Sequence, residues 1–379
     1  MDLNDRRCYE ALKARDARFD GRFFVGVSTT GIYCRPICPA RIPGRERCSF
    51  YANAAAAERA GYRPCLRCRP ELAPGYASVD AVRTAARWAA ARIESGALND
   101  GSFEQLAVQY GVSSRHLRRV IETELGVTPV ELAQTRRLLL AKQLLTDSTL
   151  GMTQVALASG FSSVRRFNHL FKTRYGLNPT SLRRHGKPAS DRDAITIKLE
   201  YRPPFDWPRL LSFLVSRGAA GVECARGLRY VRTVRLGEHR GWFSAEPIAG
   251  RHALRLEVSS GLVPVLTPLL SRVRHVFDLD ANPRIIEAHL TRDALLKACV
   301  RRQSGLRVPG AFDGFELALR AVLGQQVAVK AASTMFGRMA AAFGEAAAAP
   351  DDALKFFAPA ASDIATADLR TLMKLGLTS

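Results

Sequence analysis

No stretch of the 379 residues approaches 18 consecutive apolar residues, so the sequence offers no candidate membrane-crossing helix. Its start, Met1-Asp2-Leu3-Asn4-Asp5-Arg6-Arg7, lacks the apolar core of a secretory signal, and a cytoplasmic location with no membrane partner is expected. Acidic side chains are scarce: 35 Asp and Glu face 56 Lys and Arg, a formal net charge of +21. The excess is uneven, with 30 basic against 16 acidic residues in 1–190 and 26 against 19 in the rest. Most of the cations are arginine, whose planar guanidinium bonds phosphate oxygens two at a time. An acidic polymer is therefore the natural partner, although a coding bias towards arginine produces the same excess. Hydrophobic residues make up 47% of the chain, enough for two to four domains with cores of their own.

Four blocks follow from composition and periodicity. Residues 1–76 are rich in Cys, Arg, Pro and Gly, and residues 78–185 are helical by pattern. Residues 186–193 (Gly-Lys-Pro-Ala-Ser-Asp-Arg-Asp) form a polar linker. Residues 195–290 mix strand and helix patterns, and the remainder is helical and Ala-rich. The second block holds a diverged repeat. Gly111-Val112-Ser113-Ser114 recurs as Gly160-Phe161-Ser162-Ser163, and Thr123-Glu124-Leu125-Gly126-Val127-Thr128-Pro129 recurs as Thr173-Arg174-Tyr175-Gly176-Leu177-Asn178-Pro179. The first offset is 49 and the second 50, so one residue is inserted between them. Two copies of one helix-turn-helix unit, joined by a helix near 130–146, explain the pattern. In the third block, Ile195–Tyr201 alternates with period 2, and Leu228–Leu236, Gly241–Pro247 and His252–Val258 suggest further strands. Pro208–Arg217 fits a helix with Leu210, Leu211, Phe213 and Leu214 inward. The block reads as an antiparallel α+β unit.

Eight cysteines are present, and four stand in two close pairs: Cys34-x3-Cys38, then 26 residues, then Cys65-x2-Cys68. This is the spacing of a tetrahedral four-thiolate zinc site, in which each pair fills two positions from one turn. Cys8 and Cys48 fall outside the pairing and read as ordinary small residues. Spacing alone leaves open a zinc knot that only holds the fold. Arg35 and Arg41 flank the first pair and Arg63, Arg67 and Arg69 the second, a rim against which a phosphate backbone could sit.

Arg15-Asp16, Asp20-Gly21, Thr29-Thr30-Gly31-Ile32-Tyr33-Cys34-Arg35-Pro36, Cys38, Ser49-Phe50-Tyr51 and Gly61-Tyr62-Arg63-Pro64-Cys65-Leu66-Arg67-Cys68 together resemble the N-terminal domain of the Ada adaptive-response proteins, over roughly residues 5–75. The resemblance implies that Cys34 accepts a methyl group from an Sp methylphosphotriester in DNA, and that Cys34, Cys38, Cys65 and Cys68 bind Zn²⁺. It also implies DNA contacts at Thr30, Arg41, Arg63 and Arg67; a family arginine just after the second cysteine is Pro39 here. Metal coordination keeps the sulfur as thiolate, and the thioether product is not reversed, so one molecule takes one methyl. Four thiolates on Zn²⁺ carry a formal charge of −2; methylation makes it −1. Near DNA, that change removes a repulsion on the order of 1 kcal/mol, a switch for operator affinity.

Phe103-Glu104-Gln105-Leu106-Ala107, then Gly111-Val112-Ser113-Ser114-Arg115-His116-Leu117-Arg118-Arg119, fits helix, turn, helix, with Ser113 as N-cap. Arg115, His116, Arg118 and Arg119 would face DNA. In the second copy Ser162 is expected to cap a helix bearing Arg165, Arg166, Asn168 and His169, while Leu117, Val120, Ile121, Phe167, Leu170 and Phe171 go to the core. The tandem resembles the AraC-type DNA-binding domain over about 80–185 and implies an operator and RNA polymerase as partners.

Tyr201-Arg202-Pro203-Pro204-Phe205-Asp206-Trp207, Phe277-Asp278-Leu279, Leu306-Arg307-Val308-Pro309-Gly310 and Ala321-Val322-Leu323-Gly324-Gln325-Gln326-Val327 resemble AlkA-type 3-methyladenine DNA glycosylases. The resemblance implies that Gln325 lines a base pocket and Gln326 wedges into the gap left by a flipped base. The family's catalytic aspartate follows a helix-hairpin-helix. The sequence reaches Leu375-Gly376-Leu377-Thr378-Ser379 without either, and Asp351, Asp352, Asp363 and Asp368 do not match it. Base excision is therefore not expected, and the last helices are expected to lack packing partners. No Pro-Cys-His-Arg stretch marks an acceptor domain for alkylated guanine. The expected fold class is a multidomain α+β chain. It comprises a four-cysteine zinc domain (1–77), an all-α twin helix-turn-helix domain (78–186), an antiparallel α+β domain (194–300) and the start of an all-α helix-hairpin-helix domain (301–379). A methyl-accepting activator, a base-excision enzyme and a plain AraC-type regulator with a zinc knot are the three readings.

Overall fold

The structure, a computed structural model, describes residues 4–71, 78–183 and 193–376. The expected linker at 186–193 thus lies outside the described residues except for Asp193. The chain divides into two compact units, residues 1–93 with 101–132, and residues 94–100 with 133–379.

The first unit opens with α1 (Asp5–Lys13), β1 (Phe24–Val27), β2 (Ile32–Cys34), β3 (Cys48–Tyr51), α2 (Ala54–Arg59) and β4 (Arg63–Pro64). The sheet order is β3-β1-β2-β4; β1 is antiparallel to both neighbours and β4 runs parallel to β2. Its core is small, centred on Cys8, Leu12, Phe23, Val25 and Cys48, so the two cysteines outside the pairs are core residues. Such a core leaves much of the stability of this part to the metal.

The helical block follows as α3 (Ser78–Glu94), α4 (Ala97–Asp100), α5 (Phe103–Tyr110), α6 (Ser114–Leu125), α7 (Pro129–Asp147), α8 (Met152–Ala158) and α9 (Val164–Tyr175). Ser102 and Gln105 form a capping box on α5, and Ser113 caps α6 by accepting from the His116 amide at 3.2 Å. Gly126 and Gly176 end α6 and α9 with φ of +72° and +66°, a conformation that excludes most side chains. The cap of α9 is Ser163, which accepts from the Arg166 amide at 3.2 Å; Ser162 is not the cap. Ser113 and Ser163 lie 50 apart whereas Gly111 and Gly160 lie 49 apart, so the extra residue sits in the turn of the second copy.

The second unit continues with β5 (Ala194–Glu200), α10 (Trp207–Ser216), β6 (Glu223–Arg226), β7 (Arg229–Leu236), β8 (His239–Pro247), β9 (Ala253–Ser259) and α11 (Leu266–Val276). The sheet is antiparallel throughout, in the order β5-β9-β8-β7-β6. Alternation in β5 points Ile195, Ile197 and Leu199 inward. They join Trp207, Phe243, Val273 and Phe277 in a core continuous with Leu144 of α7 and with Val155, Phe167 and Phe171 of the second helix-turn-helix. Thr267 Oγ1 donates to the Ala158 carbonyl at 3.4 Å, and Gln143 Nε2 to the Lys198 carbonyl at 2.8 Å. Leu210 and Leu211 are buried as expected, but Phe213 is exposed, with the Arg217 guanidinium 3.8 Å above its ring. That cation–π cover takes the place of core packing.

The chain then forms α12 (Pro283–Leu290), α13 (Ala294–Arg302), α14 (Gly314–Leu323), α15 (Val329–Phe343), α16 (Ala361–Ala365) and α17 (Leu369–Lys374). α14 and α15 do find partners, contrary to expectation: Leu323, Phe336, Met339 and Ala340 pack on Ala219 and Val222. α12 and α13 leave Ile285 and Leu295 67% and 84% exposed. A buried network ties α14 to the sheet: Glu316 accepts from Arg232 at 2.7 Å and from Arg320 at 2.8 Å, and Arg320 also reaches Glu223 at 2.6 Å.

Candidate metal centre and nucleic-acid contacts

β2 and β4 bring the two cysteine pairs together. The Arg63 amide donates to the Gly31 carbonyl at 2.9 Å and the Cys65 amide to the Tyr33 carbonyl at 3.0 Å, which places Cys65 beside the end of β2. Each pair then closes on a tight turn, through the Cys38 amide to the Arg35 carbonyl (3.1 Å) and the Arg69 amide to the Cys65 carbonyl (3.0 Å). The result gathers the Sγ atoms of Cys34, Cys38, Cys65 and Cys68 within 4.8 Å of one another. Cys38 Sγ and Cys65 Sγ are 4.0 Å apart. A tetrahedral site with Zn–S bonds of about 2.3 Å needs sulfurs about 3.8 Å apart, so the donor set and its spacing fit zinc.

The sulfurs differ in surroundings. Cys38, Cys65 and Cys68 are 5%, 6% and 0% exposed, whereas Cys34 is half-buried. Hydrogen bonding to the Cys38 and Cys68 sulfurs, and then burial, push the Cys34 thiol far above the ordinary range. Hydrogen bonds with the sulfurs of Cys34 and Cys68 push the Cys38 thiol well below the ordinary range. Without a cation the cluster resists losing more protons; a divalent metal reverses that balance. Beside it, Tyr33 is buried and donates to Glu58 at 2.9 Å; burial and that bond raise its pKa to about 12.

Cys34 lines a cavity of about 270 Å³ together with Cys38, Cys65, Thr30, Arg41, Arg63, Leu66 and Arg67. The four residues named from the sequence as DNA contacts thus share one cavity with the sulfur, and all four are exposed. Leu66, 82% exposed between Cys65 and Arg67, carries no signal in the sequence that sets it apart. Arg35 does not belong to the rim: it is 2% exposed and bound to Asp20, because alternation along β2 turns it inward with Tyr33. Asp20, buried against it, lies in a quoted motif, yet nothing in the sequence marks it as the arginine's partner.

On α6, Arg115, Arg118 and Arg119 are exposed and His116 is half-buried, its Nδ1 3.4 Å from Arg119. Leu117, Val120 and Ile121 fill the opposite face. On α9, Arg165, Arg166, Asn168 and His169 are exposed, Phe167 and Phe171 are buried, and Leu170 is half-buried. Gln325 and Gln326 lie exposed in the turn between α14 and α15, where Gln326 holds φ of +60°. A non-glycine residue in that region is uncommon and marks a shaped turn.

Comparison with known proteins matches three segments of the chain. The metal binding domain of Ada matches residues 7–71, a helix-turn-helix domain residues 106–185, and the AlkA N-terminal domain residues 196–313. The chain is 37% identical over 343 residues to the probable bifunctional transcriptional activator/DNA repair enzyme AlkA of Mycobacterium tuberculosis (strain ATCC 25618 / H37Rv), covering 89% of this chain and 69% of that one. It is 36% identical over 180 residues to DNA-3-methyladenine glycosylase 2 of Escherichia coli K12, covering 47% and 61%. It is 33% identical over 194 residues to the bifunctional transcriptional activator/DNA repair enzyme Ada of the same organism, covering 51% and 53%. The chain belongs to the family of bifunctional transcriptional activator/DNA repair proteins that join an Ada-type metal binding domain, a helix-turn-helix domain and an AlkA-type domain in one polypeptide.

Proposed function

We propose that this chain responds to DNA alkylation: Cys34 takes a methyl group from a methylphosphotriester in double-stranded DNA, and the modified protein binds an operator and activates repair genes. The observation that carries this reading is that Cys34 is the least buried of the four clustered cysteines and lines a cavity rimmed by Thr30, Arg41, Arg63 and Arg67. Zinc held by the four cysteines would keep Cys34 as thiolate at neutral pH. The sulfur lone pair attacks the methyl carbon in line, the carbon–oxygen bond breaks, and a phosphodiester anion leaves; the product is a thioether. Arg41, Arg63 and Arg67 hold the neighbouring phosphates and stabilise the charge that appears on the leaving oxygen. With zinc bound, methylation would take the formal charge of the four-cysteine centre from −2 to −1, which would favour approach to DNA. Arg115, His116, Arg118 and Arg119 on α6 and Arg165, Arg166, Asn168 and His169 on α9 would read the operator. RNA polymerase is the expected partner of the bound activator, and the cytoplasm its compartment. Domain limits of 1–77, 78–186, 194–300 and 301–379 fit this division of labour. Mass spectrometry after incubation with methylphosphotriester DNA tests the reading: one added methyl on Cys34 is expected, and an unmodified Cys34 overturns it.

A second reading, base excision, is favoured by the 36% identity with the Escherichia coli glycosylase. Gln325 and Gln326 would then line the base pocket and fill the vacated stack. Carboxylates near this end have structural partners instead: Asp351 binds Arg226 at 2.9 and 3.0 Å, Asp363 binds Arg235 at 3.1 Å, and Asp368 caps α17 at 3.2 Å. We read Gln325 and Gln326 as holding an alkylated base without releasing it from its sugar. Catalytic release of 3-methyladenine by the 379-residue chain would refute that.

A further inference from the structure

We infer that Arg35, clamped by Asp20, is a positioning residue of the methyl-acceptor centre and not part of its DNA rim; the inference rests on Cys34 being the acceptor. Arg35 is among the largest fully buried side chains of the protein, at 2% exposure, although it follows Cys34 directly in a strongly basic segment. Its Nε donates to Asp20 Oδ1 at 2.8 Å, its Nη2 to Asp20 Oδ2, and its Nη1 to the Cys68 carbonyl at 3.3 Å. Its backbone amide donates to Cys68 Sγ at 3.3 Å. The Asp20 side chain is itself 7% exposed. One residue therefore ties three segments distant in sequence: the turn at Asp20, the end of β2 that carries Cys34, and the turn that carries Cys68.

A buried ion pair is a poor way to gain stability, because desolvation offsets most of the attraction and apolar replacements of similar volume often do as well. What the pair supplies is direction. A guanidinium forked onto a carboxylate fixes both partners in angle as well as in distance. With Arg35 pinned inward, the neighbouring Cys34 is turned to the opposite side, towards the cavity. With the Cys68 carbonyl and sulfur bonded to the same residue, the second pair is held at the spacing the metal needs. A guanidinium so enclosed has no path to a phosphate.

The test compares wild type with Arg35→Gln, Asp20→Asn, Arg35→Lys and Arg41→Gln as full-length zinc-loaded chains. Single-turnover methyl transfer from methylphosphotriester DNA is resolved into a saturating rate and a half-saturating DNA concentration. In Arg35→Gln and Asp20→Asn the saturating rate is expected to fall about 10- to 100-fold with the half-saturating concentration unchanged. In Arg41→Gln the half-saturating concentration should rise instead. Zinc loss to a chelator should be faster in both clamp variants by a similar factor. Arg35→Lys keeps the charge and one hydrogen bond; it should be intermediate, and it carries the test if Arg35→Gln does not fold. Clamp variants that transfer methyl and release zinc at the wild-type rate overturn the inference, as does a rise in half-saturating concentration alone. Should wild type itself accept no methyl, the proposed function fails, while zinc release still decides the role of the clamp.

Discussion

Four sulfurs of identical chemistry sit within 4.8 Å, and their neighbours make them unequal. Cys38, Cys65 and Cys68 are buried, and Cys34 is the most accessible of the four at the arginine-rimmed cavity. Cys34→Ala is therefore expected to abolish methyl uptake and the gain in operator affinity that follows it, as read by mass spectrometry and operator titration before and after exposure to methylated DNA. Equal gains in wild type and variant would break the link between sulfur and switch. Elsewhere, Glu316 sits in the sheet-to-α14 network, where burial opposes its charge but Arg232 and Arg320 outweigh it, so its pKa is lowered. A carboxylate with a lowered folded pKa stabilises the protein above its unfolded value, about 4.3, and loses that contribution as pH falls through the folded value. Glu316→Ala should cost about 3 kcal/mol at neutral pH, since it leaves the Arg232 and Arg320 guanidiniums to share Glu223 alone. The gap between variant and wild type in urea denaturation should narrow below about pH 4. A gap that widens on acidification would contradict the assignment.

At the level of elements, the two helix-turn-helix copies differ by a residue in the second turn, and the cap moves with it. Ser163→Ala should cost about 1 kcal/mol and Ser162→Ala close to nothing by chemical denaturation. The reverse order would restore Ser162 as the cap. Neutralising Arg165 or Arg166 should lower the salt dependence of DNA binding by about 0.9 in log–log slope for each phosphate that is no longer neutralised. These elements were legible because period and punctuation carry them: strand alternation in β5, glycine ends on α6 and α9, and paired cysteines at the metal. β6 escaped because Glu223-Cys224-Ala225-Arg226 has no apolar alternation; it is held as a strand by pairing with β7. Ser162 and Ser163 are equal as caps until the backbone register chooses between them. The inward turn of Arg35 was likewise invisible, since composition counts it with the rim and only its pairing with Asp20 places it inside. Phe213 fits the inward stripe of α10 by spacing, yet an arginine one turn on covers it instead.

On the scale of the whole molecule, stability is unevenly founded. The cysteine-bearing part of the first unit has a small apolar core and a metal centre, whereas the second unit shares one large core between the second helix-turn-helix and the α+β sheet. Chelation of zinc should remove or lower one calorimetric transition and leave the transition of the second unit within a degree or so; one transition shifted as a whole would show that the metal supports the entire chain. One acceptor sulfur per chain also has an arithmetic consequence. If each polypeptide can be marked once and never cleared, the pool of marked chains is a running tally of lesions met. The tally fades only as new synthesis and cell division dilute it, so the length of the response is set by growth and not by any erasing reaction.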